Sequence, residues 1–259
     1  MCEAAPLQYP EETVARLEML WGKGFMSVGG PEEVSAILDG VNLKNLNVLD
    51  IGCGIGGVDF LLVSEHGAAS VLGLDVEPHL LELGRERAAT AGLSDQVTFL
   101  LCASPPYPLG DRSFDVVFSK GAILHIPDKA LLFYDAARIL KPGGLFIASD
   151  WLRGGASIGD IKIENFGASG IILEATPPHE MEKAMRDAGF TSIVMTDQTD
   201  RYLDGARRDL EKMKGPLRDL AQKMLGAEGY EDWIALQVGT VERLAARSVQ
   251  PTHIRATRG

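Results

Sequence analysis

Residues 48–57 read Val48-Leu49-Asp50-Ile51-Gly52-Cys53-Gly54-Ile55-Gly56-Gly57. A short apolar run that ends abruptly in glycines is typical of a buried strand, a tight turn and the start of a helix, because glycine adopts positive φ and lets a ligand approach the backbone. We therefore expect a ligand with a polar face to bind on this turn. The Gly-x-Gly pattern alone does not name the ligand, because dinucleotides and other nucleosides share it.

Three further segments restrict the ligand. The apolar run of residues 69–74 ends in Asp75, where a carboxylate can accept both ribose hydroxyls of an adenosine. Residues 114–119 predict a fourth strand, and residues 140–147 predict a helix end, a turn and a fifth strand. In this order the segments resemble the class I S-adenosylmethionine (SAM)-dependent methyltransferases. The resemblance implies SAM as methyl donor and S-adenosylhomocysteine (SAH) as product, rather than a nicotinamide or a flavin.

Composition narrows the class of protein. A chain of 259 residues is long enough to bury a sizeable core without disulfides. Its net charge of −11 argues against a nucleic-acid partner. Three scattered cysteines show no metal spacing and fit a reduced compartment, and neither a leader-like start nor a membrane-length apolar run is present. We expect a cytoplasmic, metal-free enzyme with no membrane partner, acting on a small molecule as a monomer or homodimer.

Periodicity and glycine content divide the chain into three predicted parts. Residues 1–40 form an N-terminal helix and a lid, in which bulky apolar residues and glycine hinges alternate at 21–30; simple packing of the helix on the sheet is the alternative. Residues 41–200 form the SAM-binding Rossmann-like core, with an insertion at 152–176. Residues 201–259 form a helical cap and a final edge strand. The expected fold is α/β, with a seven-stranded, mostly parallel sheet and helices on both faces.

The whole chain is also similar to the phosphoethanolamine (phosphobase) N-methyltransferases. The similarity rests on the lid pattern of residues 22–30, the glycine turn, residues 122–126 and 140–144, and the ending at residues 253–257. It implies that family's fold and its placement of SAM. The predicted cofactor contacts are Ser27, Asp50, Ile51, Gly52, Gly54, Asp75, Val76, Ala103, Ser104 and Ser119.

Several residues of that family's acceptor site have no counterpart here. The family pairs a lid tyrosine with the histidine that matches His125, and the tyrosine's position is assigned to Leu17. The family's acidic residue facing the amine matches Gly121, its phosphate clamp falls near residues 171–173, and its C-terminal lysine has no match after Lys223. Because a phosphate dianion is costly to desolvate without cations, the sequence predicts an acceptor other than a phosphobase.

His125 is the predicted catalytic base, because an ordinary imidazole is largely able to accept a proton at neutral pH. Its alternative role is to cap the helix that follows residues 127–128. Aromatic faces attract a cationic amine, although the same side chains also suit an ordinary core. The predicted acceptor contacts are Trp21, Phe25, Gly121, Trp151 and Tyr202, with Asp150 and Glu18 as candidate partners of the amine.

Two other functions fit the same pattern. One is methylation of an oxygen or carboxyl group of an acid, which would be indicated by a cation in the acceptor pocket. Candidates for that cation are Arg153, Lys162 and Arg201. The other is a protein that binds SAM without methyl transfer.

Overall fold

The computed structural model describes residues 9–155, 162–163 and 173–259. The strands are β1 Asn47–Ile51, β2 Ser70–Asp75, β3 Val97–Leu101, β4 Phe114–Lys120, β5 Leu140–Arg153, β6 Lys162–Ile163, β7 Leu173–Glu174, β8 Phe190–Asp197 and β9 Val249–Arg258. The helices are α1 Glu11–Trp21, α2 Gly30–Ile37, α3 Gly57–Ser64, α4 Pro78–Ala91, α5 Lys129–Ile139, α6 Pro178–Asp187, α7 Thr199–Lys214 and α8 Arg218–Ala245, with a 3₁₀ turn at Ile123–His125.

Seven strands form one sheet in the order β3-β2-β1-β4-β5-β9-β8, and β6 pairs with β7 separately. The first five strands are parallel, whereas β9 runs antiparallel to both of its neighbours. The predicted fold is confirmed, but the expectation that the last strand lies at the edge is wrong. Strand β9 is mostly buried and is hydrogen-bonded to β5 on one side and to β8 on the other. Strand β8, with its exposed residues, forms the edge.

Helices cover both faces of the sheet because the central strands are apolar on both sides, as parallel strands usually are. On one face, Phe133 of α5 and Met185 of α6 pack against strand residues such as Phe146. On the other face, Ile37 of α2 and Leu62 of α3 pack against Val48 and its neighbours. These two cores fix the carboxyl ends of β1, β2, β4 and β5 side by side.

The cap consists of α7 and α8. Helix α8 is interrupted at Gly226, where φ is +72°. Trp233 of α8 and Met213 of α7 pack together with Leu20 of α1, so the cap and the N-terminal helix share one small core. Within the described residues, each helix is too short or too polar to cross a bilayer. The predicted insertion at 152–176 lies largely outside the described residues, and the three-part division stays a prediction.

Candidate active site

The glycine turn after β1 adopts backbone angles that other residues tolerate poorly. Gly52, Gly54 and Gly56 have φ values of +79°, +56° and +81°. A Cβ on Gly52 would lie 2.1 Å from the Cβ of Ala122. The amide of Gly52 donates to the carbonyl oxygen of Leu74 at 2.8 Å, which ties the turn to the end of β2. The turn therefore presents bare backbone at the carboxyl edge of the sheet, where open α/β sheets bind ligands.

Asp75, the last residue of β2, lies beside this turn. Its Oδ2 accepts the Gly54 amide at 2.8 Å, and its Oδ1 accepts the Glu77 amide at 3.0 Å. Burial raises the pKa of Asp75, although these amide hydrogen bonds oppose the rise. A carboxylate has about four lone-pair sites, so two remain for a ligand in the adjacent cavity.

A cavity of about 360 Å³ lies over the turn, within the size range of about 300–1,000 Å³ that is typical of small-molecule sites. The predicted cofactor residues that line it are Ser27, Asp50, Ile51, Gly52, Gly54, Asp75, Val76, Ala103 and Ser104. Ser119 lies outside it, because its hydroxyl is buried between strands and donates to the Ile51 carbonyl at 2.8 Å. Ser119 therefore supports the wall of the cavity rather than contacting its contents.

Two buried carboxyls lie beneath the turn. Asp50 lines the cavity. Asp59, in the first turn of α3, is fully buried beside it. Burial raises the pKa of both groups, and their mutual repulsion adds to the rise for Asp59. The two carboxyl groups therefore interact electrostatically beneath the glycine turn.

The segment between α1 and α2, residues 22–30, closes one side of the cavity. The backbone of Gly24 approaches α3 so closely that a Cβ on Gly57 would lie 2.0 Å from the Gly24 oxygen. Glu18 holds this segment in place, since its Oε1 accepts the Gly24 amide at 2.5 Å and its carboxylate pairs with Arg87. Glu18 is thus engaged in structure, contrary to its predicted role as a partner of an amine.

Gly57→Ala should displace this lid segment. The added methyl would meet the Gly24 carbonyl, and overpacking of this kind costs about 1–3 kcal/mol. We expect weaker SAM binding in calorimetry. Gly205→Ala is the matched control, because Gly205 is also helical and a Cβ there meets only Arg208 at 3.9 Å. Equal SAM affinity in the Gly57 variant and the wild type would show that the lid does not close over the ligand.

Lys120 is a cavity residue that the sequence analysis missed. It ends β4, is 7% exposed, and donates through Nζ to the Ser27 hydroxyl at 2.6 Å and the Val28 carbonyl at 2.9 Å. Burial lowers the pKa of Lys120 to about 8. A polar residue at the end of a buried strand was the available signal. Lys120 fastens the lid segment to the sheet at the point where the predicted contact Ser27 enters the cavity.

His125 lies where the large cavity meets a second one and lines both of them. It does not cap the following helix, because Asp128 does so by accepting the Leu131 amide at 2.8 Å. Burial, together with the nearby Lys129, lowers the pKa of His125 to about 4. The imidazole is therefore uncharged at neutral pH.

A tyrosine faces this histidine, although the sequence analysis assigned the corresponding position to Leu17. The Tyr9 hydroxyl lies 3.4 Å from His125 Nε2, whereas Leu17 is packed in the cap-side wall. His79 holds Tyr9 in place through a 2.7 Å hydrogen bond to its backbone oxygen. Burial raises the pKa of Tyr9 to about 12, so its hydroxyl keeps its proton. The inference that the chain lacks a tyrosine partner for His125 is wrong.

Two smaller cavities continue from His125 toward the cap, with volumes of about 60 and 50 Å³. Trp21 and Trp151 line both of them, and Gly121 lines the second and the large one. Trp21 is held by its Nε1, which donates to Asp209 at 2.9 Å, and Trp151 packs edge-on against Tyr202. These cavities form an aromatic chamber beyond the large cavity, as an acceptor site requires.

The three other residues predicted for the acceptor have different surroundings. Phe25 lines the large cavity. Tyr202 lines the third cavity, and its hydroxyl is committed to Glu33 at 2.8 Å and to Ser149 at 3.0 Å. Asp150 is buried and accepts the amides of Leu124 and Trp151, so it orders the strand end instead of facing an amine.

Two of the candidate cations named from sequence, Arg201 and Arg153, do not line the chamber. Arg201 pairs with Glu33 at 2.9 Å, and Arg153 approaches Glu180. The side chain of Lys162 lies outside what the structure describes, as does the proposed clamp near residues 171–173. Arg243 of α8, whose helical spacing with Arg247 predicts a solvated face, lines the second cavity. Among the described residues, no cluster of His, Cys, Asp and Glu is arranged to hold a metal ion.

A family model described as a methyltransferase domain matches residues 42–205, and the chain belongs to this family. Its fold and motifs are those of the class I SAM-dependent methyltransferases, and its sequence is similar to the phosphoethanolamine N-methyltransferases, as predicted. Phosphoethanolamine N-methyltransferase 1 of Arabidopsis thaliana is 33% identical over 243 residues, covering 93% of this chain and 48% of the relative. Phosphoethanolamine N-methyltransferase 1 of Triticum aestivum is 34% identical, with coverages of 87% and 44%.

A solved structure shows the same architecture. Haemonchus contortus phosphoethanolamine N-methyltransferase 2 in complex with SAM superposes with a TM-score of 0.87 at 25% identity, covering 97% of this chain and 58% of that one. The chain spans about half the length of the curated relatives it matches.

Proposed function

We propose that this chain transfers the methyl group of SAM to the nitrogen of a small amine that is not a phosphobase. The observation that carries the proposal is the position of an uncharged His125 at the junction of the large cavity and the aromatic chamber. A methyl donor in the first and an acceptor in the second would meet beside Gly121, which borders both.

The large cavity fits SAM. Asp75 is placed to accept ribose hydroxyls, the glycine turn and Asp50 to meet the methionine end, and Ala103 and Ser104 to border the adenine. The sulfonium supplies an already activated methyl group, so the protein needs no covalent intermediate. What the residues must do is align the acceptor at about 3–3.5 Å and exclude water.

The Tyr9–His125 pair suits an amine. An alkylammonium must lose a proton before its nitrogen can attack, and the neutral imidazole offers a lone pair for that proton. An imidazolium present before the acceptor binds would repel both the sulfonium and the ammonium, and burial keeps the resting ring uncharged until it takes the proton of the acceptor. Tyr9 is placed to hold the ring orientation through its hydroxyl.

The chamber gives little support to a phosphate dianion. Gly121 provides no carboxylate for the amine, and Arg243 is the one cation among the described residues that line the second cavity. The large cavity adds Lys120, whose ammonium is occupied by Ser27 and Val28. A dianion with a single cationic partner would keep an uncompensated charge on leaving water.

A second candidate is carboxyl methylation, which the guanidinium of Arg243 in the chamber favours. A carboxylate is already ionised at neutral pH, however, and needs no base, so it leaves the Tyr9–His125 pair without a task. The pair therefore favours the amine. Binding of SAM without transfer remains the third outcome for the experiment.

The test is methyl transfer from radiolabelled SAM to a panel of small amines, carboxylic acids and phosphoethanolamine. We expect label on nitrogen of a non-phosphorylated amine. Efficient labelling of phosphoethanolamine would overturn the acceptor class, and SAM binding with no labelled product from metabolite extracts would overturn the enzymatic assignment.

The pH dependence of turnover should show the low pKa of His125. Because burial lowers this pKa from 6.5 to about 4, the base stays neutral until the pH falls through about 4. We expect a loss of kcat/KM near pH 4 that is missing from the residual activity of His125→Gln. A loss near pH 6.5 should be the same in both proteins, because burial raises the pKa of Asp50 to about 7 and that of Asp150 to about 6. The unfolded chain binds the His125 proton at higher pH than the folded chain, so the contribution of His125 to stability also falls as pH drops from 6.5 to 4. An acid limb centred at 6.5 that disappears in His125→Gln would contradict the burial.

A further inference from the structure

Arg243 lies on the cap helix α8 and reaches into the second cavity. That cavity is bounded by the lid segment at Ser27 and Val28, by Trp151 at the end of β5, and by His125. Arg243 is the one Lys or Arg that lines it in the part of the chain that the structure describes. Partial burial of a cation is costly unless polar or negatively charged groups compensate its lost hydration. A ligand in the adjacent cavity would supply such groups.

The guanidinium is held in place, and its charged neighbour is Glu242, the preceding residue, whose attraction partly opposes the fall of the Arg243 pKa on burial. Its Nη2 donates to the Thr240 hydroxyl at 3.1 Å. It lies along the helix surface where Gly239 leaves room, since a Cβ there would come within 3.1 Å of Nη1. None of the ion pairs among residues 9–155, 162–163 and 173–259 includes it. Of the five donors of a guanidinium, most are therefore left for a ligand.

Other residues that line the cavity suit a cation. Trp21 and Trp151 are aromatic, and the neutral His125 offers a proton acceptor. His125 also borders the large cavity, whereas Arg243 does not. A ligand that complements both Arg243 and these residues carries an anion and an amine.

The size of the cavity limits that ligand. Its volume is about 60 Å³, and one water-sized group occupies about 10–15 Å³ by the same kind of measure, so about four to six non-hydrogen atoms fit. A carboxylate matches the planar fork of one guanidinium through two parallel hydrogen bonds. A phosphate is larger and carries a second charge that a single guanidinium leaves uncompensated.

We propose that the acceptor is a small amino acid, whose carboxylate binds Arg243 while its amine lies at Trp21, Trp151 and His125. This rests on the proposed function and names its substrate class. Arg243 acts here as a specificity-determining residue that holds the carboxylate away from the methyl donor, so that nitrogen and not oxygen is methylated.

The test uses calorimetry on the protein saturated with SAH. The probes are N-methylglycine and its amide, which has nearly the same shape but no negative charge. We expect the acid to bind about 10- to 100-fold more tightly than the amide, the factor that charged hydrogen bonds supply. Arg243→Gln should abolish the difference, raise KM for the acid by a similar factor and leave kcat and SAH affinity nearly unchanged.

Two further variants keep the test decisive. Arg207→Gln removes an exposed guanidinium of α7 that pairs with Asp204, and it should change neither probe's affinity. Gly239→Ala should displace the Arg243 guanidinium without weakening the helix, since alanine favours helix over glycine by about 1 kcal/mol. It should therefore weaken binding of the acid and not of the amide.

The proposal is overturned if no carboxylate probe binds the SAH complex, if the amide binds as tightly as the acid, or if Arg243→Gln keeps the preference for the acid. Binding of phosphoethanolamine through Arg243 in preference to the acid would overturn it as well. These results are distinct from failure of the proposed function, because SAH binding is measured first on the same samples and its loss would refute the cofactor site instead.

Discussion

Asp75→Ala is expected to weaken SAM binding by at least about 100-fold, because two charged hydrogen bonds of about 1.5–3 kcal/mol each are lost. Asp75 lines the large cavity while its oxygens also accept the amides of Gly54 and Glu77. The substitution therefore removes the ribose acceptor and loosens the glycine turn at once. Calorimetric titration with SAM and with SAH measures the loss.

A matched control separates these two effects. Asp75→Asn keeps one oxygen acceptor and the size of the side chain but loses the charge, so its affinity should fall between those of the wild type and the alanine variant. Glu82→Ala is a second control. It removes a carboxylate of α4 that lies near Asp75 in sequence but does not line the cavity, so SAM affinity should not change. Unchanged SAM affinity in Asp75→Ala would remove the cofactor assignment.

His125→Ala is expected to reduce kcat by about 10²- to 10⁴-fold, the usual contribution of general acid–base catalysis. SAM affinity should change little, since His125 borders the junction and the turn holds the cofactor. Tyr9→Phe removes only the hydroxyl that lies 3.4 Å from Nε2, and it should lower kcat less. Single-turnover kinetics with saturating SAM measure both. Full activity of His125→Ala would exclude the histidine as base.

The features that sequence could predict are local. The run of residues 48–57 fixed a strand, a turn and a helix start, because apolar residues followed by glycines allow few other backbones. The position of Asp75 at the end of the next strand followed from the βαβ spacing, and parallel strands bring both to one edge of the sheet. Nine of the ten residues predicted to contact the cofactor accordingly line the large cavity.

The aromatic chamber was less predictable because its walls come from distant parts of the chain. Tyr9 lies 116 residues before His125, and their contact depends on how the N-terminal segment crosses the sheet edge. Arg243 was assigned to a solvated helix face because of its helical spacing with Arg247, whereas the structure places it in the lining of the second cavity. The place of β9 was wrong because a strand's apolar content does not tell which neighbours it pairs with.

The partners of polar side chains were also difficult to predict. Ser119 and Tyr202 are polar side chains next to the site, and sequence alone assigned them to ligands. In the structure, the Ser119 hydroxyl donates a hydrogen bond to the Ile51 carbonyl, and the Tyr202 hydroxyl donates one to Glu33. Most buried polar groups are hydrogen-bonded in this way. Side-chain packing decides whether a hydroxyl faces a ligand or the core, and sequence patterns do not contain this information.

The most direct measurement of the central claim is a crystal structure of the protein grown with SAH. We expect SAH in the cavity over residues 52–57, with its ribose hydroxyls at hydrogen-bond distance, about 2.7 Å, from the Asp75 carboxylate. Its sulfur should be directed toward Gly121 and His125. A cavity that stays empty at saturating SAH, or that binds NAD in its place, would contradict it.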